Sequence, residues 1–110
     1  MTKKKKSTKY EHRDEFRKYK NEPHPKYVYE RNGEDFNYLS MTHKPPNGAE
    51  RDYVKLERSA NPNDSRSAYI SMKSERDNMR NFGARKKDWS FTKNDKKKVK
   101  GIIKKNKKGK

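Results

Sequence analysis

Four side chains carry groups suited to proton transfer and phosphate chemistry, and all four fall at expected strand ends or loops: His24, His43, Arg66 and Tyr69. Cleaving RNA without a metal requires a base for the 2′-hydroxyl proton, a cation for the phosphorane and an acid for the leaving oxygen. Histidine exchanges protons near neutral pH, and the planar arginine fork matches phosphate oxygens. His24 stands between Pro23 and Pro25, His43 follows a β-prone run, and Arg66 and Tyr69 border another. A small sheet could gather such loops into one catalytic set. The competing reading makes the two loop histidines and the arginine ordinary surface groups.

Other chemistries lack their parts. Cysteine is absent and no two of His12, His24 and His43 stand four apart, so no metal-ligand set is legible and no metal or cofactor is expected. His12 lies in a charged stretch and reads as a solvated group. There is no glycine-rich phosphate loop, no pair of catalytic carboxylates and no nucleophile elbow. A chain this short and polar has little material for a small-molecule pocket. The lack of cysteine fits a reducing cytoplasm, the expected compartment.

A second group of residues binds rather than reacts. Lys and Arg number 32 against 15 acidic residues, a net charge of +17 and a pI near 10.1. Solubility asks for a magnitude of only about 2–8. The charge is also placed unevenly: residues 1–9 hold five Lys and no acid, residues 92–110 hold ten Lys and one acid, Asp95, and the stretch between carries +3. Such ends neutralise phosphates and release condensed counterions. Lys3, Lys4, Lys5 and Lys6, with Lys97, Lys98, Lys100, Lys104 and Lys105, are the expected backbone contacts. Lysine is a mobile point charge, so these contacts carry little sequence preference. RNA is the expected partner, with DNA or an acidic protein as alternatives. No apolar run approaches the length of a membrane span, and no membrane partner is expected.

These residues need a frame to position them. Leu, Ile, Val and Phe total only 12 of 110, a composition that with the high charge is typical of disordered chains. The case for a fold rests on local pattern. Residues 1–9 read as a disordered basic arm, residues 10–105 as one small domain and residues 106–110 as a basic tail. Tyr10 to Lys20 reads as a short helix from its Phe16–Tyr19 pair. Lys26–Glu30 and Asp35–Leu39 flank Asn32-Gly33, the strongest short-range hairpin signal. A two-residue Asn32-Gly33 loop would pair Arg31 with Glu34, Tyr29 with Phe36 and Tyr27 with Tyr38. Tyr27, Tyr29, Phe36 and Tyr38 would then share one face, as the core or as a platform for stacking unpaired bases. Further strands are expected at 51–57 and 68–72, with 73–88 irregular and Trp89-Ser90-Phe91 extended. Thr92 and Asp95 mark a helix start, and Val99, Ile102 and Ile103 share one face of a helix to about Lys105, its other face nearly all lysine. The expected fold is α+β: an antiparallel sheet of three to four strands with a C-terminal helix across it.

Several blocks resemble those of small, basic, uncharacterised proteins of Gram-positive bacteria and their mobile elements. They are His24-Pro25-Lys26-Tyr27, Leu39-Ser40-Met41-Thr42-His43, Asn61-Pro62 through Tyr69, and Trp89-Ser90-Phe91 with Asp95 and the helix after it. The expected layout is also similar to that of barnase- and RelE-like ribonuclease toxins. That likeness implies a toxin-like, metal-independent endoribonuclease and transfers no catalytic residue, and the C-terminal position of the helix departs from it. The leading expectation is an RNA-binding protein, with the endoribonuclease as one alternative and a structural ribonucleoprotein component or an adaptor for an acidic protein as the other.

Overall fold

Phe16 and Tyr19 stand three apart, a spacing that a helix places on one face and a strand on opposite faces. The computed structural model, which describes residues 10–108, makes this segment a strand, β1 (Tyr10–Tyr19), and the expected helix is not formed. Phe16 enters one core and Tyr19 another. Arg13, Glu15 and Arg17 stand beside Tyr19's face, where Glu15 accepts from Arg13 at 3.2 Å and from Arg17 at 2.7 Å. Both guanidinium groups lie over the Phe36 ring, at 5.9 and 5.4 Å from its centroid.

The hairpin forms between β2 (Lys26–Asn32) and β3 (Asp35–Thr42). Its register differs from the expected one. Asn32 pairs with Asp35, so the two loop residues are Gly33 and Glu34. Gly33 alone in the turn has a positive φ, 66°, as a type II′ turn requires of its first central residue. An irregularity between Val28 and Glu30 then resets the ladder to Val28↔Tyr38, Tyr27↔Leu39 and Lys26↔Ser40. A one-residue slip sends side chains to the other face. The four aromatics therefore do not share a face: Tyr27 and Tyr29 pack with Leu39 and Met41, whereas Phe36 and Tyr38 pack with Val28 and Tyr19.

The sheet has seven antiparallel strands rather than three or four, in the order β4-β5-β3-β2-β1-β7, with β6 also paired to β3. β4 (Tyr53–Lys55) and β5 (Tyr69–Ser71) fall within the expected strands. β6 (Glu75–Asn78) and β7 (Phe82–Arg85) arise in the segment expected to be irregular. β3 pairs end to end with β6 along Asp35–Tyr38 and with β5 at Met41 and Thr42. The chain from β6 to β7 runs from the edge of β3 to the edge of β1, and Met79 and Phe82 cover the second core as it passes.

The opposite face of the sheet is covered by α1 (Lys93–Lys108). Thr92 Oγ1 accepts the Asp95 backbone N–H at 3.0 Å, the expected N-terminal cap. The Asp95 carboxylate turns to another element. It is fully buried and accepts the backbone N–H groups of Glu57 and Arg58 at 2.7 and 3.3 Å, which pins the chain after β4 to the helix start. Val99 and Ile102 enter the first core and Ile103 packs at its margin. The helix continues three residues past the expected end, to Lys108. Asn106 anchors that last turn by accepting the Ser74 N–H at 3.0 Å and donating to the Met72 carbonyl at 3.0 Å. The expected arm at residues 1–9 lies outside the described residues.

Candidate functional site

β2 starts, β3 ends and β5 starts at one end of the sheet, because Lys26 pairs with Ser40 and Thr42 with Tyr69. The loops attached there converge. Pro23 and Pro25 hold the segment before β2 extended and carry His24 between them. His43 follows the last residue of β3. The loop before β5 supplies Asp64 and Arg66, and the chain after β7 supplies Lys86 and Trp89. Together they line a cleft of about 370 Å³, a volume in the range of small-ligand sites that so short and polar a chain was not expected to enclose.

The two imidazoles meet edge to face, their centroids 5.5 Å apart. His43 is fixed at both nitrogens: Nδ1 lies 3.0 Å from the Ser67 carbonyl oxygen and Nε2 lies 3.0 Å from Asp64 Oδ2. Both partners are acceptors, so only a doubly protonated ring donates to both at once. Asp64 also holds Arg66, receiving Nε at 3.0 Å on Oδ1 and a terminal nitrogen at 2.9 Å on Oδ2, while the Arg66 backbone N–H closes the turn at 3.0 Å. These Arg66 bonds, with the nearby His43, hold the Asp64 carboxyl well below the usual carboxylate range. One carboxylate thus orients both the His43 ring and the Arg66 guanidinium. His24 differs: partial burial, reinforced by the positive charges of His43, Lys26 and Arg66, lowers its pKa from the ordinary value of 6.5. Among the described residues its ring nitrogens have no hydrogen-bond partner. The cleft therefore joins an uncommitted, neutral-leaning imidazole to a clamped pair of donors.

Three of the four residues expected to act on RNA, His24, His43 and Arg66, come together here. Tyr69 does not: it sits within β5, paired with Thr42 and Lys55, and is not among the residues lining the cleft. Asp64, Lys86 and Trp89 were not expected as site residues from the sequence. Asp64 is hidden in the turn Asn61-Pro62-Asn63-Asp64, where an Asx turn already explains an aspartate, and Lys86 is one lysine among many.

The aromatic side chains expected to stack bases are buried. Tyr27, Tyr29, Phe36 and Tyr38 are only 4–5% exposed, so their ring faces belong to the two cores and are closed to a nucleobase. Two of the tyrosine hydroxyls are committed to carboxylates, Tyr27 donating to Asp14 at 2.8 Å and Tyr38 to Glu75 at 3.0 Å. Burial and these carboxylate partners push both phenol pKa values far up, so they stay neutral. The chain has few aliphatics, and its large apolar groups are needed for the core.

On α1, Lys97, Lys98, Lys100, Lys104 and Lys105 face solvent. Lys93, Lys97, Lys100 and Lys104 form one row along the helix, at spacings of four, three and four residues. Lys98 is drawn toward the Asp95 carboxylate at 3.6 Å and the Lys55 carbonyl at 3.2 Å. Lys3, Lys4, Lys5 and Lys6 lie outside the described residues. No helix of the described residues is long and apolar enough to cross a membrane. Comparison with family models, curated proteins and solved structures finds no match to this chain.

Proposed function

We propose that this protein binds RNA through its lysines and cleaves it without a metal in the cleft of His24, His43, Asp64 and Arg66. The carrying observation is the convergence of the two imidazoles, one free and one clamped, beside an arginine fork. His24, neutral near pH 7, takes the 2′-hydroxyl proton, and the 2′ oxygen attacks phosphorus. Arg66 binds the non-bridging oxygens as charge builds on them, through the terminal nitrogen that Asp64 does not hold. The His43 Nε2–H exchanges Asp64 for the departing 5′ oxygen and protonates it, while Arg66 keeps the carboxylate in place. The P–O5′ bond breaks, leaving a 2′,3′-cyclic phosphate and a 5′-hydroxyl. Lys93, Lys97, Lys100 and Lys104 offer the phosphate backbone a row of exposed cations along α1. A cytoplasmic setting accords with the cysteine-free sequence.

The test is incubation of the purified chain with single-stranded RNA in EDTA, followed by end-group analysis. Cyclic phosphate ends are expected, and His24→Ala or His43→Ala should each slow their formation by about 10²–10⁴-fold. RNA that stays intact, or cleavage unaffected by the double variant, removes the catalytic role. Salt-sensitive binding without cleavage would then favour a ribonucleoprotein component.

A further inference from the structure

The cleft is two-sided. Arg66 and Lys86 supply charge beside the polar ring of His43, whereas Trp89 with Pro23, Pro25, Met41 and Ala60 supplies a wall of carbon. Phosphate chemistry alone has no use for that wall. Trp89 is the single tryptophan of the chain and only partly buried. Its indole leans on Phe16 at a centroid distance of 5.8 Å, and Phe16 is backed in turn by Tyr27 and Phe91 at 5.1 and 4.9 Å. The backbone beside it is tied at two points: the Trp89 N–H donates to the Lys86 carbonyl at 3.3 Å and the Ser90 N–H to the Ala60 carbonyl at 3.1 Å. The ring is therefore braced from behind while also lining the cleft.

From this arrangement we infer that Trp89 is the stacking wall for one unpaired nucleobase whose phosphate lies against His43 and Arg66. The inference rests on the RNA reading above and narrows its substrate to single-stranded segments. A cavity of about 370 Å³ admits one splayed nucleotide and no base pair in a duplex. It also places base recognition in the cleft, away from the buried hairpin aromatics. A base stacked on an indole is sequence-tolerant, because every base has a π-face.

The native fluorescence of Trp89 reports the event directly. The full chain is titrated with each nucleoside 3′-monophosphate and, separately, with ribose 5-phosphate, while NMR follows the ring protons of His24 and His43. Nucleotides should quench Trp89, shift both histidines and bind about tenfold tighter than ribose 5-phosphate. Trp89→Phe should keep part of that preference and Trp89→Leu should abolish it, with far-UV circular dichroism unchanged in both. Equal binding of nucleotide and sugar phosphate, with histidine shifts but no Trp89 response, overturns the base site and leaves the phosphate chemistry standing. Silence of both histidines toward every ligand overturns the proposed function itself.

Discussion

His24 and His43 are the same residue type given opposite environments. His24 is partly desolvated beside cations, which disfavours its protonated form. A base of this kind is lost when pH falls through its lowered pKa and is fully available above it. The acid limb of the kcat/KM profile should therefore fall below pH 6.5, and a limb at or above that value would remove His24 from the role of base. Asp64 is a positioning residue, since it touches His43 and Arg66 and acts through them. Asp64→Asn keeps the shape and removes the charge that aligns both. RNA cleavage should drop by about 10²-fold in kcat, with the circular dichroism spectrum unchanged and partial recovery in Asp64→Glu. A loss confined to KM would argue that Asp64 does not align the reacting groups.

At the scale of elements, the site depends on how α1 is fastened. Asp95 is fully buried and satisfies two backbone N–H groups of the segment leading to Ser59 and Ala60, which line the cleft. Replacing it with alanine leaves those donors without a partner in a dry setting. Asp95→Ala should lower unfolding free energy by about 3 kcal/mol in urea titrations, and a change within 0.5 kcal/mol would show that water replaces the carboxylate. The hairpin teaches a second point about elements. Its strands and the turn near Gly33 were legible from Asn-Gly between aromatic runs, but a two-residue turn can start at either Asn32 or Gly33. That choice, together with the irregularity at Tyr29, decided which aromatics face α1. β1 failed for a related reason: an apolar pair three apart satisfies a helix rule, yet one residue was needed in each core.

The whole molecule is a small folded centre with a highly charged exterior. On the proposed RNA reading, its exposed helix row supplies phosphate contacts whose strength depends on salt. Replacing Lys93, Lys97, Lys100 and Lys104 with glutamine should lower the slope of log K against log salt on single-stranded RNA by about 3. An unchanged slope, measured by anisotropy across ionic strengths, would place binding elsewhere. Low aliphatic content does not prevent folding here, because paired aromatics fill both faces of the sheet. Phe16, Tyr27 and Phe91 pack on one side, and Tyr19, Tyr38 and Phe82 on the other.

Local rules were sufficient for features whose cause is local. Thr92 caps a helix because the next N–H groups lack partners, Val99 and Ile102 face inward because of helical spacing, and the lysine excess is a property of composition. Tertiary structure alone decided the rest. Glu75-Arg76-Asp77-Asn78 has no apolar alternation and becomes a strand only because the edge of β3 offers it backbone partners. Asp64 gains its role only when β3 and β5 pair and bring His43 to it. Local preference acts over a few residues, whereas a cleft is made by loops distant in sequence that meet once the sheet's register is set.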